Sequence, residues 1–506
     1  MERAPRPIHS ILFAAFPILF LAAHNRNVAS PSAAVVPLVL SVVAVGCAQL
    51  ALGRLIGHGH KVAIVLTSAL LGFFTYGHVW QLLEGRRVAR FVVGRDLVLT
   101  PLFALGLVVV ILFLARTGRK LFGITRALNL IALGLVLTSV ASLGLDVARS
   151  AEAGPGGKTP VLRSTRRDVY YLIFDRYPDA QTLREHFGFD NTPFLGFLER
   201  NGFTIVPGAR ANYQNTHLSL ASSLNMQYLD DLGSQRPTSD LSPAFGAIAR
   251  SAAARSLKQA GYRYVHVGSW WSPTSESPIA DVNLRNAPLP EFTRTLYEST
   301  ALLPLLRRGY IAEADRDAVQ HATALREFAS MEAAVDIDGP KFVFAHFLMP
   351  HPPYVFDRNG GRVAPQARAG NAKAFLEQLR YTNRRIRRLV GDILAGPGDP
   401  IVIIQADEGP YPRLTTKIPG RWTSRPDEEL RVKYGILSAM RLPGYRDAVS
   451  HTVSPVNTFR IVFNRYFGTN MRMLPDESFA SPSPDDVYGF VPLGDRVRGR
   501  PLGQNW

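Results

Sequence analysis

The chain has almost no cysteine. Of its 506 residues only Cys47 is a cysteine, and it lies within a long apolar stretch. No disulfide framework is therefore predicted, and the folded part of the chain must be stabilised by burial of a hydrophobic core. Single cores rarely grow beyond about 250–300 residues, so this length predicts one large domain together with a second region.

Acidic residues are few compared with basic ones. The chain has 57 Lys and Arg against 40 Asp and Glu, which gives a net charge of +17. The sequence contains no zinc-finger spacing, RNA-recognition signature or basic helix, so nucleic acid is not predicted as a partner. Residues 1–150 hold 14 basic against 4 acidic residues, and a basic segment of this kind suits the anionic headgroups of a membrane.

Long apolar runs mark the N-terminal region. Most of them reach the ~20 residues needed to cross a bilayer, and residues 1–149 are therefore predicted to form a transmembrane helix bundle. The first run is short and follows Arg3 and Arg6, a pattern that also fits a signal peptide. The runs cover, roughly, residues 10–24, 34–56, 62–83, 98–115 and 123–146.

The distribution of Lys and Arg among the short loops indicates an orientation. It favours a cytoplasmic N-terminus, although four arginines in the loop from Glu84 to Asp96 oppose this. With five spans, everything after residue 150 lies outside the cytoplasm. The sequence thus predicts a multi-pass protein of the cell (inner or plasma) membrane with an extracytoplasmic domain.

The rest of the chain alternates between strand-like and helix-like segments. Continuous apolar strands of this kind are typical of a parallel sheet that is buried on both faces, so we expect an α/β sandwich with a mainly parallel sheet. Residues 150–167 are predicted as a linker, 168–470 as the main domain and 471–506 as a C-terminal extension. The predicted strands cover residues 169–174, 262–267, 342–346, 401–405 and 434–438.

Carboxylates follow two of these strands. Asp175 comes directly after strand 169–174, and Asp407 and Glu408 come shortly after strand 401–405. Ligands of open parallel sheets bind at the carboxyl ends of the strands. Two adjacent buried carboxylates repel each other unless a cation or a proton intervenes. The motifs therefore indicate a metal site, with solvated acidic turns as the alternative.

A hydroxyl and a histidine complete the motifs. Thr216 precedes a predicted helix, where it either caps the helix or attacks an anionic ester that the free N–H groups hold. His351 lies between Pro350 and Pro352, which suits a side chain that binds a substrate oxygen or protonates a leaving group. His346, at the end of strand 342–346, is interpreted as a buried or supporting residue.

In order and local sequence these motifs resemble the sulfatase-like branch of the alkaline phosphatase superfamily, especially the membrane enzymes that make lipoteichoic acid or transfer phosphoethanolamine. The resemblance covers roughly residues 165–465. It implies an alkaline-phosphatase-like α/β domain, a metal bound by Asp175, Thr216 and Asp407, a nucleophilic role for Thr216, and substrate contact for His351. Glu408 stands where the family usually has histidine.

The resulting hypothesis is a metal-dependent hydrolase or transferase that acts on a phospholipid or another lipid-linked or envelope phosphoester. The Cys/Ser-x-Pro-x-Arg signature of true sulfatases is missing around Thr216, so sulfate esters are not predicted as substrates. Asp175, Thr216, Asp407 and Glu408 would form an all-oxygen site that favours Mn²⁺ or Mg²⁺, with Ca²⁺ and Zn²⁺ as alternatives. The competing hypothesis, favoured by Glu408, is a non-catalytic envelope protein that binds or assembles other components.

Overall fold

The fold was taken from a computed structural model of the chain. It describes residues 4–25, 31–84, 86–88, 91–92, 94–152, 159–163, 167–232, 237–287, 291–310, 315–363, 371–414 and 421–498. The chain forms two compact units, one of Met1–Arg149 with Leu289–Arg316 and the other of Ser150–Pro288 with Asp317–Trp506. Residues 289–316, which the sequence places in the main domain, thus group with the N-terminal helices.

Both units contain helices. In chain order they are α1 His9–His24, α2 Val35–Ile56, α3 Gly59–Leu83, α4 Asp96–Arg116, α5 Phe122–Glu152, α6 Ala180–Phe187, α7 Thr192–Arg200, α8 Thr216–Asn225, α9 Ser242–Ala249, α10 Ala252–Gln259, α11 Glu291–Ser299, α12 Leu303–Arg307, α13 Arg316–Val335, α14 Ala372–Ala395, α15 Asp427–Tyr434 and α16 Thr458–Tyr466.

Among the described residues, four N-terminal helices are long and apolar enough to cross a membrane, namely α2, α3, α4 and the part of α5 up to Gly144. They coincide with the four longer runs of the sequence, whereas α1 is a shorter apolar helix. Helix α2 has no buried residue, and Leu55 on it is 83% exposed. Apolar side chains that point outward in such numbers are typical of a surface that faces lipid.

The second unit is built around a seven-stranded sheet with the order β4-β9-β8-β3-β7-β5-β6. Pairing is parallel between β3 and β7, β3 and β8, β5 and β7, and β5 and β6, and antiparallel where β9 meets β8 and β4. The mainly parallel sheet is thus confirmed. The strands of the chain are β1 Arg87–Val88, β2 Phe91–Val92, β3 Val169–Phe174, β4 Thr204–Ile205, β5 Arg263–Val267, β6 Val282–Leu284, β7 Lys341–Phe347, β8 Ile401–Gln405, β9 Ser438–Arg441, β10 Phe479–Ala480 and β11 Val491–Pro492.

One predicted strand was wrong in position. The segment 434–438 was expected as a strand, but Tyr434 ends helix α15 and strand β9 begins only at Ser438. Helix α15 begins with Asp427, Glu428 and Glu429, and acidic side chains stabilise a helix N-terminus by interaction with the helix dipole. The helix therefore extends to Tyr434, and the strand begins four residues later than predicted.

The register of the central strands aligns their carboxyl ends. Every residue of β3, β7 and β8 is buried, as continuous apolar strands require. Ile173 of β3 lies beside His346 of β7 on one side and Gln405 of β8 on the other. The backbone N–H of Asp175 donates to the carbonyl of Phe347 over 2.9 Å. The residues that follow β3 and β8 therefore come to the same edge of the sheet as the end of β7.

Part of the predicted C-terminal extension packs against the segment that leads into helix α8. Strand β10 pairs with β11, and Ala480 is fully buried. The backbone N–H of Phe479 donates to the carbonyl of Asn212 over 2.8 Å, and the Tyr213 and Phe479 rings stack with centroids 5.8 Å apart. These contacts support the stretch of chain that leads into helix α8.

Candidate metal centre and nucleophile

Two carboxylates and one imidazole meet at the carboxyl end of the sheet. Asp175, His346 and Asp407 are all buried and each offers a ligand atom, and the three atoms lie within 4.8 Å of one another. Asp175 directly follows β3, His346 is the second-last residue of β7, and Asp407 is the second residue after β8. We call these three residues the carboxylate–histidine cluster.

The polar atoms of this cluster are not satisfied by the protein. Asp175 Oδ1, Asp407 Oδ2 and His346 Nε2 are buried and have no hydrogen-bond partner, and the same holds for Glu408 Oε2. Buried polar atoms without partners are rare, because each one costs free energy. Several lone pairs that converge without a donor are the arrangement that a divalent cation satisfies, so the residues present fit a metal.

The His346 ring is oriented for such a role. Its Nδ1 lies 2.9 Å from Thr274 Oγ1, and in the tautomer in which Nδ1 donates this hydrogen bond, Nε2 has its lone pair available for a metal. Burial lowers the pKa of His346 to about 3, so the ring is neutral, as a metal ligand must be. The sequence indicated that His346 is buried but not that its free nitrogen joins the two carboxylates.

The two aspartates disfavour each other's ionised form. Burial, and after it the charge of Asp407, raises the pKa of Asp175 well above its ordinary value. Burial and the neighbouring Glu408 raise the pKa of Asp407 to about 6, while a hydrogen bond with Thr216 acts in the opposite direction. A bound cation would reverse these shifts by favouring both carboxylates in their charged form.

Thr216 lies next to Asp407 through this hydrogen bond. It is the first residue of α8, and Asn215 occupies the N-cap position before it, so the helix does not use Thr216 as its cap. The lead-in is held firmly, because Asn212 donates to the carbonyl of Glu477 over 2.7 Å and accepts from the N–H of Val456 over 2.8 Å. The hydroxyl is thereby placed at a helix N-terminus beside the cluster.

Glu408 has a different environment from Asp407. Its Oε1 lies 2.9 Å from Arg176 Nε and 2.8 Å from Lys433 Nζ. Lys433 is fully buried, its Nζ donates to the carbonyl of Gly409 over 3.1 Å, and both cations lie over the Tyr411 ring. Burial lowers the pKa of Lys433 to about 8, an effect that the charge of Glu408 opposes. We call Arg176, Glu408 and Lys433 the ion-pair cluster.

Arg176 and Lys433 were not identified from the sequence as parts of the site. Arg176 follows Asp175 directly, and a cation next to a buried carboxylate was a usable signal. Lys433 lies on α15, near the end of a helix that the sequence did not predict. No local pattern connects it with Glu408, because the contact depends on how the chain folds back after β8.

His351 lies in the loop that follows β7. It is half-buried, and its Nδ1 contacts the carbonyl oxygen of Pro352. Burial, and after it the charge of Arg176, holds the pKa of His351 well below its ordinary value. The ring is therefore neutral and lies close enough to the ion-pair cluster to be influenced by its charge.

The family of the chain follows from comparison with known proteins. The sequence profile of the sulfatase family matches residues 172–459, a stretch that contains both clusters, Thr216 and His351. The match covers more than half of the chain, and the chain therefore belongs to the sulfatase family. The resemblance found from the motifs is confirmed.

The chain is also similar to solved structures, including the following three, which overlap it to different extents. The C-terminal periplasmic domain of EcEptC from Escherichia coli in complex with Zn has 13% identity and a TM-score of 0.42, covering 67% of this chain and 99% of that one. The integral membrane lipooligosaccharide phosphoethanolamine transferase A (EptA) from Neisseria meningitidis has 14% identity and a TM-score of 0.40, covering 90% and 94%. The phosphonate monoester hydrolase of Agrobacterium radiobacter has 13% identity and a TM-score of 0.37, covering 62% and 80%. No curated protein sequence matches the chain significantly.

Proposed function

We propose that the chain is a membrane-anchored, metal-dependent hydrolase or transferase of phosphoesters, with a lipid-linked or envelope substrate. The observation that carries this proposal is the convergence of unpartnered buried atoms from Asp175, His346 and Asp407 at the point where Thr216 contacts Asp407. The family match supports an enzyme, and the apolar helices α2 to α5 support a membrane anchor.

The carboxylate–histidine cluster would hold one divalent ion. When bound, such an ion lowers the pKa of a neighbouring hydroxyl and offsets charge on a phosphoryl oxygen. One imidazole with two carboxylates suits Zn²⁺ as well as Mn²⁺, whereas Mg²⁺ and Ca²⁺ prefer oxygen ligands alone. The preference for Mg²⁺ or Mn²⁺ that the sequence predicts depends on Glu408 as a ligand, and that role stays a prediction.

Thr216 is proposed as the nucleophile. Its Oγ forms a bond to phosphorus while the bond from phosphorus to the leaving oxygen breaks, and the leaving oxygen takes up a proton from solvent. Asp407, which shares a hydrogen bond with Thr216, orients the hydroxyl and accepts its proton. Water or a second alcohol then attacks the phosphothreonine and releases Thr216.

The other side chains orient the substrate and balance charge. The N–H groups at the start of α8 are directed toward an anionic ester. Arg176 and Lys433 offset the charge of Glu408 and so keep the site from being a set of three uncompensated carboxylates. His351, held in its loop between Pro350 and Pro352, is proposed to contact the leaving oxygen.

The catalytic proposal can be tested directly on the purified full chain. After incubation with bis(p-nitrophenyl) phosphate and Mn²⁺ or Zn²⁺, we expect release of p-nitrophenol and a phosphorylated peptide that carries the modification at Thr216. Mass spectrometry checks the peptide. Absence of both with either metal would favour the binding or assembly protein, for which the fully paired Oε1 of Glu408, at the position usually held by histidine, is the supporting observation.

The membrane orientation has a separate test. The four long apolar helices support a membrane anchor, and we propose that α1 crosses the membrane as well, so that five crossings would bring the second unit outside the cytoplasm. A reporter enzyme that is active only outside the cytoplasm, fused after Trp506, is therefore expected to be active. Activity of a second reporter that works only in the cytoplasm, fused at the same position, would overturn the orientation and with it the lipid-linked substrate.

A further inference from the structure

Helices α11 and α12 belong to the first unit although they lie far from its other helices in the sequence. The second unit precedes and follows residues 289–316 in the chain. Phe292 and Leu296 of α11 pack in one buried cluster with Phe74 of α3, and Leu303 of α12 packs in another with side chains of α3 and α4. We call α11, α12 and the turn between them the α11–α12 segment.

The turn of this segment contacts α3 well inside its length. The backbone N–H of Ala301 donates to the carbonyl of Phe73 over 2.8 Å, and at Gly77 any side chain would clash with the carbonyl oxygen of Glu298. Phe73 precedes Leu83, the last residue of α3, by ten positions, which is about 15 Å along a helix. The 25 residues of α3 exceed the hydrocarbon core of about 30 Å by only a few ångströms. Since α3 is long and apolar enough to cross a membrane, the turn lies at the level of that core.

The backbone of the turn is satisfied by the protein. Non-helical backbone at membrane depth is tolerated only where other groups of the protein take up its hydrogen bonds. Every backbone N–H from Thr300 to Leu306 has an acceptor within the chain, and Pro304 has no N–H to satisfy. The acceptors are the carbonyl oxygens of Phe73, Tyr297, Thr300 and Leu302 and the hydroxyl of Thr300, at 2.8–3.2 Å. The turn therefore needs no water, as a position within a bilayer requires.

The charged side chains of the segment also suit this position. Arg294 Nε lies 3.2 Å from Glu298 Oε1, and both side chains are mostly buried. Arg307, the last residue of α12, lies over the Trp80 ring at 4.2 Å and is 3.9 Å from Asp96. Trp80 and Asp96 are near the ends of α3 and α4, where aromatic and charged side chains meet the headgroup region. Helix α12 thus leads from the level of the core back to the level of the headgroups.

The face of α12 that points away from the other helices is apolar. Leu303 and Leu306 are buried, whereas Leu305 is 39% exposed and Tyr310, shortly after the helix, is 73% exposed. A single exposed leucine is ordinary on a soluble protein. Here it lies beside α4, on which Leu105 is also exposed. Leu305 therefore continues the apolar surface of the membrane helices.

We propose that the α11–α12 segment is a re-entrant element of the membrane domain, held against α3, and that Leu305 and Tyr310 contact lipid in the outer leaflet. The partner of this surface is the bilayer, because the depth of the turn and the apolar face that continues α4 both indicate hydrocarbon. The proposal rests on the membrane anchor of the proposed function and not on its catalytic mechanism. Neither helix of the segment reaches the length of a membrane span, so hydropathy along the sequence does not reveal it.

Fluorescence quenching by lipids tests this contact in the full chain. Cys47, the only cysteine, is replaced by serine, and a single cysteine is introduced in place of Leu305, Tyr310 or Leu105 and labelled with an NBD fluorophore. The protein is reconstituted in vesicles of phosphatidylcholine and phosphatidylglycerol that contain lipids with a nitroxide near the headgroup end of an acyl chain. We expect quenching of the label at Leu305 at least about half as strong as at Leu105, since both lie within the hydrocarbon core. The matched control is Val491, which belongs to the second unit and is also 39% exposed; its label should emit as in water and stay unquenched.

The outcomes separate this inference from the membrane anchor. Quenching at Leu105 without quenching at Leu305 overturns the re-entrant segment and leaves the anchor standing. Absence of quenching at both positions overturns the segment and the anchor together. Equal signals at Leu305 and Val491 would show that the contact is not specific to α12 and would also overturn the proposal. Turnover of a phosphodiester is measured separately and decides the catalytic proposal alone.

A second pair of variants tests the contact with α3. Gly77→Ala adds a methyl group that meets the Glu298 carbonyl, and it is expected to displace the turn and to reduce quenching at Leu305 about twofold or more. Gly106→Ala is the control, because the space around Gly106 is open. A label at Leu105 in the same Gly77→Ala protein should remain quenched, which shows that the membrane helices themselves are still folded. Unchanged quenching at Leu305 in Gly77→Ala would contradict the placement of the segment against α3.

Discussion

Asp407 and Glu408 are neighbours in the chain and follow the same buried strand, yet their carboxylates lie in opposite surroundings. Asp407 faces Asp175 and His346, and its Oδ2 has no partner. Glu408 has two cations within 2.9 Å of its Oε1. One side of the strand end is therefore short of positive charge, and the other side is supplied with it by the protein itself.

This difference shows how a protein can keep several buried carboxylates at one point. Each charge needs compensation, and a side-chain cation supplies it permanently whereas a metal supplies it only when bound. We therefore propose that the ion-pair cluster contributes to the stability of the fold and that the carboxylate–histidine cluster binds a ligand. The following predictions test that division, beginning with the largest expected effect.

Thr216 shares a hydrogen bond with Asp407 of the carboxylate–histidine cluster, and Thr216→Ala should have the largest effect on turnover. Turnover is expected to fall by about four orders of magnitude or more, because covalent catalysis is removed, while Thr216→Ser keeps part of it. The control is Thr192→Ala, since Thr192 also begins a helix but is exposed. Turnover of a phosphodiester by Thr216→Ala at a rate near that of the wild type would disprove the mechanism.

Lys433→Met tests whether the ion-pair cluster stabilises the fold, measured as the free energy of unfolding. It leaves the buried Glu408 with one cation instead of two, and loss of one partner of a buried pair typically costs about 3–5 kcal/mol. Urea unfolding of the detergent-solubilised chain measures this change, and Lys258→Met, which breaks a half-exposed pair with Asp281, should cost less than about 1 kcal/mol. The double variant Lys433→Met with Glu408→Gln should recover part of the loss. A Lys433→Met protein as stable as the wild type would mean that the ion pair contributes nothing.

The neighbouring carboxylates can be compared directly by metal affinity. Asp407→Asn should weaken the binding of Mn²⁺ or Zn²⁺ by more than about 100-fold, and Glu408→Gln by a smaller factor of at most about 10- to 100-fold, because a side chain beyond the ligands orients or tunes them without bonding to the metal. Equilibrium dialysis with metal analysis gives both values. Equal losses would break the comparison and would support Glu408 as the fourth ligand that the sequence predicts.

Two buried histidines on adjacent strands provide the finest comparison. His346 has a free Nε2, whereas His266 uses both nitrogens, one toward Tyr264 and the other toward the carbonyl of Thr274. His346→Gln is expected to weaken metal binding by more than the roughly 10- to 100-fold typical of a residue beyond the ligands, and His266→Gln to affect only stability. The same dialysis measurement distinguishes them, and similar metal affinities for the two variants would remove His346 from the ligand set.

Much of this site could be predicted from the sequence because apolar strands are visible as continuous runs. Once β3 and β8 are located, the rule that ligands bind at strand ends indicates Asp175 and Asp407. His346 was harder to assign, since a histidine within a buried strand has the same local appearance whether it is a ligand or a packed side chain. Its role depends on the register between β3 and β7, which no local pattern specifies.

The parts that were missed depend on contacts between distant segments. Lys433 meets Glu408 because α15, which ends at Tyr434, the first residue of the predicted strand 434–438, brings the lysine Nζ to 2.8 Å from the carboxylate. The grouping of residues 289–316 with the N-terminal helices likewise joins segments far apart in the chain. Composition and periodicity describe each segment by itself and contain no information about such pairings.

The most direct test of the division between the two clusters is anomalous diffraction from crystals of the full chain grown with Zn²⁺. The account predicts a single peak about 2.0–2.2 Å from one oxygen each of Asp175 and Asp407 and from His346 Nε2, with Lys433 still paired to Glu408. The account would be contradicted if no peak occurred at these residues, or if the metal were bound by Glu408 after displacement of Lys433.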